Sequence, residues 1–227
     1  MRISDKELWS ERDQGRIVLE TNGVERFIIN GAGGISPLGE GTFLVAASDA
    51  NADVRARADY VCDGTDDQVE INAAIAALPA TGNTQGGRVQ LSEGNFYLSA
   101  KVVMDKYNVA LVGAGAFTPI GGVNPTGPLI GGTILRVDDT FTDTYVLECK
   151  PTNPSVRSLA GNRLEGFAID GYDTPSFANT SGIYWQVFRG TIENVGISRL
   201  QDDGLVVDGN DVSVTYPLGA WDNRIRD

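Results

Sequence analysis

Hydrophobic and polar positions change rhythm several times along this chain, and each change predicts an element. The first fifteen residues, MRISDKELWSERDQG, are polar and charged and read as a short arm. Two apolar runs follow, Ile17 to Leu19 and Val24 to Ile29, on either side of Asn22-Gly23. Asn-Gly suits a type I′ turn, whose central residues both take φ > 0, so the segment predicts a β-hairpin. A lone hairpin is marginal in water. This one needs a partner: the rest of the chain, a symmetry mate or a docking protein. Residues 30–50, from GAGGISPLGEG onward, are glycine-rich and predict a linker and the best domain boundary.

Between Asp59 and Gly94 the rhythm turns helical and then reverts. Thr65 and Gln68 have the spacing of a capping box, which satisfies free N–H groups at a helix start. Asp66 and Asp67 fall in the first turn, where the macrodipole favours negative charge. Ile71, Ala74, Ile75 and Leu78 recur at helical spacing, and Pro79 and Gly82 end the run. A short amphipathic helix is expected over about 66–78. From Arg88 the period drops to two. RVQL, Phe96, Leu98, Ala100, Val102 and Met104 alternate with mostly polar residues, as strands do. Beyond them come short apolar strands punctuated by Gly, Asn, Asp and Pro.

Those strands repeat. LEGFAID (164–170) superimposes on IENVGIS (192–198) at an offset of 28, and SGIYW (181–185) on DGLVV (203–207) at an offset of 22. DNRIRD (222–227) looks like the opening of another copy, so a longer natural chain is expected. Degenerate repeats of this length, built of strands and turns, suggest a β-solenoid whose coils share one core. A β-sandwich or jelly roll is the competing fold. It would show hairpin turns at regular spacing, and the spacing here is irregular. A solenoid has open ends with unpaired backbone, so the helix before the first strands reads as a cap.

Composition narrows the function. The 28 glycines favour turn-rich β structure over a helix bundle. A formal charge of −12 argues against nucleic acid as a partner. There is no histidine, which excludes a histidine base, a histidine metal ligand and any Ser-His-Asp triad. Cys62 and Cys149 have no CxxC spacing; two buried free thiols are the expectation, with pairing left open. No apolar run resembles a signal peptide or a membrane span.

The stretch DYVCDGTDDQVEINAAIAALPATGNTQGGRVQLSEGNFYLSAKVVM resembles the start of pectate-lyase-superfamily β-helix domains. Asp63, Gly64, Asp66 and Asp67 match a D-G-x-x-D-D segment; Gly86, Gly87, Val89, Leu91, Gly94 and Phe96 to Leu98 match G-G-x-V-x-L-P-x-G-x-Y. NVALVGAG (108–115) looks like that family's first inner strand and turn. The resemblance covers about residues 59–227. It implies an all-β fold: a right-handed parallel β-helix with a short N-terminal capping α-helix, preceded by a small β-hairpin attachment module. Residues 1–50 would form the arm, hairpin and linker, and residues 51–227 the β-helix. Such domains are common in phage tailspikes and tail fibres and in secreted polysaccharide-degrading enzymes. The phage case implies a homotrimer, attachment to other virion tail proteins through residues 1–50, adsorption to host surface polysaccharide, and a place in the virion tail.

Candidate chemistry is sparse. Glycoside hydrolysis generally needs two carboxylates, and Asp202-Asp203 is the best local pair. It resembles the acid/base positions of polygalacturonase-like enzymes, but the histidine-glycine motif of that family is missing, and Arg224 and Arg226 match its basic motif only loosely. A plain turn is the competing reading. A polysaccharide hydrolase or lyase is therefore the alternative function. Asp66 and Asp67 could suggest a metal, though helix-terminal charge explains them. Asp170, Asp173, Asp202, Asp203 and Asp208 could supply calcium ligands, but calcium takes six to eight oxygens and no EF-hand spacing exists. No metal and no cofactor are expected. GAGG (31–34) and GAGA (113–116) lack the G-K-[ST] of a P-loop and read as linker and turn. Tyr184, Trp185, Phe188 and Trp221 could stack on sugars, with core packing or a trimer contact as the competing use. Trp9 could anchor the arm.

Overall fold

The structure is a computed structural model describing residues 17–21, 24–29, 35–37, 41–79, 86–115, 131–153, 158–171, 180–208 and 224–226. Strands β1 (Ile17–Thr21), β2 (Val24–Ile29) and β3 (Ile35–Pro37) form a three-stranded antiparallel sheet. Thr21 lies opposite Val24, so a two-residue connection closes the expected hairpin. Asn22-Gly23 itself lies outside the described residues, as does GAGG. The third strand was not legible in the sequence.

The remaining strands pair in parallel. They are β4 (Thr42–Ala46), β5 (Tyr60–Val61), β6 (Gly87–Leu91), β7 (Gly94–Leu98), β8 (Val102–Met104), β9 (Val109–Val112), β10 (Thr133–Val137), β11 (Tyr145–Cys149), β12 (Leu159–Ala160), β13 (Arg163–Asp170), β14 (Ser181–Trp185), β15 (Val187–Phe188), β16 (Thr191–Ser198), β17 (Leu205–Val207) and β18 (Arg224–Arg226). Helices α1 (Ala52–Arg57) and α2 (Gln68–Ala77) lie on either side of β5. The largest sheet runs β18-β16-β13-β9-β6-β4-β5, with β10 joined to β13 and β7. A second runs β17-β14-β11-β8, and β12 pairs with β15. The chain visits the sheets in turn and returns to each one coil later. The protein is strand-rich, and its curled parallel sheet fits a solenoid.

Ladder register turns the sequence repeats into neighbours. Leu164 lies opposite Ile192, Phe167 opposite Val195 and Ile169 opposite Ile197. In the second sheet Ile183 lies opposite Leu205 and Trp185 opposite Val207. Arg224 to Arg226 pair with Thr191 to Glu193, so the last copy continues the sheet. Identical spacing on adjacent coils stacks like residues. Phe43, Val89, Leu111, Leu164 and Ile192 form one inward row, and Val102, Leu147, Ile183 and Leu205 another. Val89, Leu111, Leu164, Val102, Leu147 and Ile183 are all fully buried. Burying each such side chain contributes about 1.5–3 kcal/mol. Cys62 and Cys149 are buried and unpaired.

One bend makes the large sheet curl. Residues 163–165 of β13 pair with β9, whereas 168–170 pair with β10. Gly166 sits between them at φ +68°, and the next coil places Asn194 there at φ +53°. These are the residue types that tolerate the left-handed region. A second constraint falls on Gly86 and Gly87. A Cβ on Gly86 would lie 2.3 Å from the Asn108 carbonyl oxygen, and one on Gly87 would lie 2.2 Å from that of Gly41. The coils approach too closely there for any side chain.

Three expectations need correction. The linker does not extend to residue 50: β4 lies within the large parallel sheet, with Val45, Ala46 and Ala47 fully buried. TFLVA is a short unbroken apolar run without alternation, and it follows a glycine-rich stretch. Helix α1 was missed because its six residues bury no side chain, so no apolar periodicity marks it. NVALVGAG is not the first strand of its sheet, since β4 and β6 precede β9.

Candidate functional site

Helix α2 closes the first coil, and it does so by imitating a strand. Ile71, Ala74, Ile75 and Leu78 are all buried in the core, as their spacing requires. Around that apolar face, polar side chains meet the backbone of β7 and β8 at alternate residues. The Asp67 N–H donates to the Tyr97 carbonyl (2.9 Å), and the Tyr97 N–H donates to Asp67 Oδ2 (2.8 Å). The Ser99 N–H donates to Gln68 Oε1 (3.1 Å), and Gln68 Nε2 donates to Ser99 Oγ (3.1 Å). Asn72 Nδ2 donates to the Lys101 carbonyl (3.1 Å) and Asn72 Oδ1 accepts from the Val103 N–H (2.9 Å). A neighbouring coil would supply such bonds from its own backbone. Here the Asp67 N–H and the side chains of Asp67, Gln68 and Asn72 supply them, so the sheet edge is satisfied without another strand.

The capping box expected at Thr65 and Gln68 is absent. Asp67 is the N-cap and makes no side-chain bond to the helix. Asp66 and Asp67 precede the helix rather than filling its first turn. The Asp66 carboxylate accepts from the Ser99 hydroxyl, and Asp67 Oδ1 accepts from the Gly64 N–H (2.9 Å). At the other end, Lys106 Nζ donates to the carbonyls of Ile75 (3.0 Å), Ala76 (2.6 Å) and Leu78 (2.7 Å). An ammonium there satisfies free carbonyls and matches the helix dipole.

A polar spine crosses the coils. Asn95 Nδ2 donates to Asp49 Oδ2 (2.6 Å), and Arg136 Nε donates to Asn95 Oδ1 (2.6 Å). Arg136 Nη1 meets Asp170 Oδ2 at 2.8 Å, and Arg199 Nη2 meets both Asp170 oxygens at 2.6 and 2.7 Å. Asp170 is fully buried. Parallel register puts Arg136 directly opposite Asp170, a pairing that residue order alone does not show.

The second sheet carries an aromatic and charged cluster. Tyr145 and Tyr184 have ring centroids 4.8 Å apart, and Lys150 lies 5.7 Å from the Tyr184 ring. The Tyr184 hydroxyl donates to Asp208, and burial followed by this carboxylate pushes its pKa up. Glu148 bridges Lys150 (2.7 Å) and Lys101 (3.1 Å). Burial works against the Glu148 carboxylate, but the two lysines outweigh it and hold its pKa below the ordinary range.

The sequence candidates scatter. Asp202 and Asp203 are exposed in the turn before β17, with Asp202 Oδ2 accepting from the Ser181 hydroxyl (3.3 Å). Trp185 is fully buried, so it packs the core and offers no face to a sugar. Tyr184 is half-buried, and Phe188 lies under Arg189 at 5.1 Å. Asp170 is committed to two arginines and Asp208 to Tyr184; no three of Asp170, Asp202, Asp203 and Asp208 converge. Gly113 and Gly115 donate to the carbonyls of Glu165 and Gly166, as turn residues between coils. Arg224 and Arg226 lie in β18. Trp9, Asp173 and Trp221 lie outside the described residues.

Among the described residues no helix is long and apolar enough to cross a membrane. No protein-family profile and no curated protein matches the chain. Among solved structures, the chain is similar to ORF18 of Geobacillus virus E2, with 24% identity and a TM-score of 0.47. That likeness covers 61% of this chain and 24% of the viral protein, so the chain spans about a quarter of that protein's length.

Proposed function

We propose that the chain is a structural component of a phage tail, a tail fibre or tailspike, that takes part in adsorption to the host cell. Its curled sheets are the coils of a right-handed parallel β-helix of the pectate-lyase-like kind. The observation that carries this reading is the row-on-row stacking of inward residues from coil to coil. Such stacking builds a stiff rod, the mechanical need of a fibre. Three rods associate, the N-terminal segment attaches them to other tail proteins, and host surface polysaccharide is the target. The exposed, turn-forming Asp202 and Asp203 favour a structural rather than a hydrolytic role.

Light scattering on the purified chain tests it. The expected mass is three times 24.2 kDa. A monomer at every concentration overturns the trimer. Release of reducing ends from a polysaccharide panel, lost in Asp203→Ala, would replace the structural reading with that of a depolymerase.

A further inference from the structure

The start of the cap holds more negative charge than its surroundings balance. Asp67 is fully buried, and Glu70 follows one helical turn later on the same side. Glu70 Oε2 is closed off from solvent and accepts no hydrogen bond. The polar atoms of Cys62, Asp67 and Glu70 lie within 4.8 Å of one another. Asp63 adds charge from the preceding loop, and Asp66 is turned to the Ser99 hydroxyl. On the coil side the facing groups are neutral: the Tyr97 backbone, and Ser99 through Gln68. The lysines of that coil are engaged elsewhere, Lys101 with Asp143 and Glu148, Lys106 with the carbonyls of α2. A buried carboxyl with a second acidic side chain beside it ionises at a cost.

We propose that the cap is an acid-tightened latch: a proton taken up from solvent by Asp67, beside Glu70, seats α2 on the first coil, and its release at higher pH loosens the cap. Asp67 makes the coupling direct, because its carboxylate and its N–H both bond the Tyr97 backbone. Burial pushes its carboxyl above the ordinary aspartate range; two backbone N–H groups oppose this, and Glu70 and Asp63 add to it. A raised folded-state pKa means the contribution is fully present below the ordinary aspartate pKa. It is lost as pH rises through the raised value.

Amide hydrogen exchange on the full chain, corrected for intrinsic rates, tests this between about pH 4 and about pH 8. The Tyr97, Ser99 and Val103 amides should lose protection as pH rises, about tenfold for each unit by which the pKa is displaced. The Phe167 and Ile169 amides, on a coil remote in sequence, should not follow. In Glu70→Gln the protection at neutral pH should rise and its slope with pH should shrink. A wild-type profile independent of pH overturns the latch without any variant. An unchanged slope in Glu70→Gln overturns the part given to Glu70 beside Asp67.

Discussion

Asp170 shows how much one carboxylate can hold. It is fully buried and accepts from Arg136 on β10 and from Arg199 just beyond β16. Asp170→Asn keeps the shape but removes the carboxylate that both guanidiniums meet. Breaking a buried pair in this way costs about 3 kcal/mol or somewhat more. Urea unfolding should show a lower midpoint with the slope unchanged. Glu148 predicts a pH effect opposite in sign to that of Asp67. Its carboxyl is held below the ordinary range, so its contribution is present above the ordinary glutamate pKa and is lost as pH falls through the lowered value. In Glu148→Gln the acid limb of a stability-against-pH curve should flatten by comparison with the wild type.

At the scale of elements, the cap is secured from both ends. Lys106→Met would keep the aliphatic packing and remove three bonds to the last carbonyls of α2. A cost of about 1–2 kcal/mol follows for a charge-assisted group at a helix C-terminus. Asn72→Leu would expose the Lys101 carbonyl and the Val103 N–H at a sheet edge. An unblocked edge templates further strands. Concentration-dependent association, read by light scattering, is expected in this variant and not in Lys106→Met. The helix and its inner face were legible because Ile71, Ala74, Ile75 and Leu78 carry a period. Its anchoring was not. Asp67, Gln68 and Asn72 look like ordinary N-terminal helix residues until the coil beneath them fixes what they touch. For the same reason Trp185 passed as a possible sugar platform: alternation gives two faces, and only the neighbouring strands decide which is inward.

On the scale of the molecule, the repeats were the most informative signal. Offsets of 28 and 22 residues, read from LEGFAID with IENVGIS and from SGIYW with DGLVV, are the ladder partners in two different sheets. The start of the large sheet was less visible, because β4 is short and follows a glycine-rich stretch. The candidate site was hardly legible at all. Asp202 and Asp203 stand out as adjacent carboxylates, whereas the ion pairs around the buried Asp170, from Arg136 and Arg199, join residues far apart in sequence that meet through register.

The spine also bears on how such a chain can change over generations. Arrays of stacked units usually grow or shrink by duplicating or deleting a unit, since each unit needs no more than a compatible neighbour. Here the units are not interchangeable. Across successive coils the spine reads aspartate, asparagine, arginine, aspartate, arginine, from Asp49 to Arg199. Excising the coil that carries Asp170 would set Arg136 against Arg199, two like charges of which the first is buried. Excising the coil that carries Arg136 would leave Asp170 beside an amide. Point substitutions can accumulate on the outer faces, whereas loss of a single coil of the spine would break an ion pair.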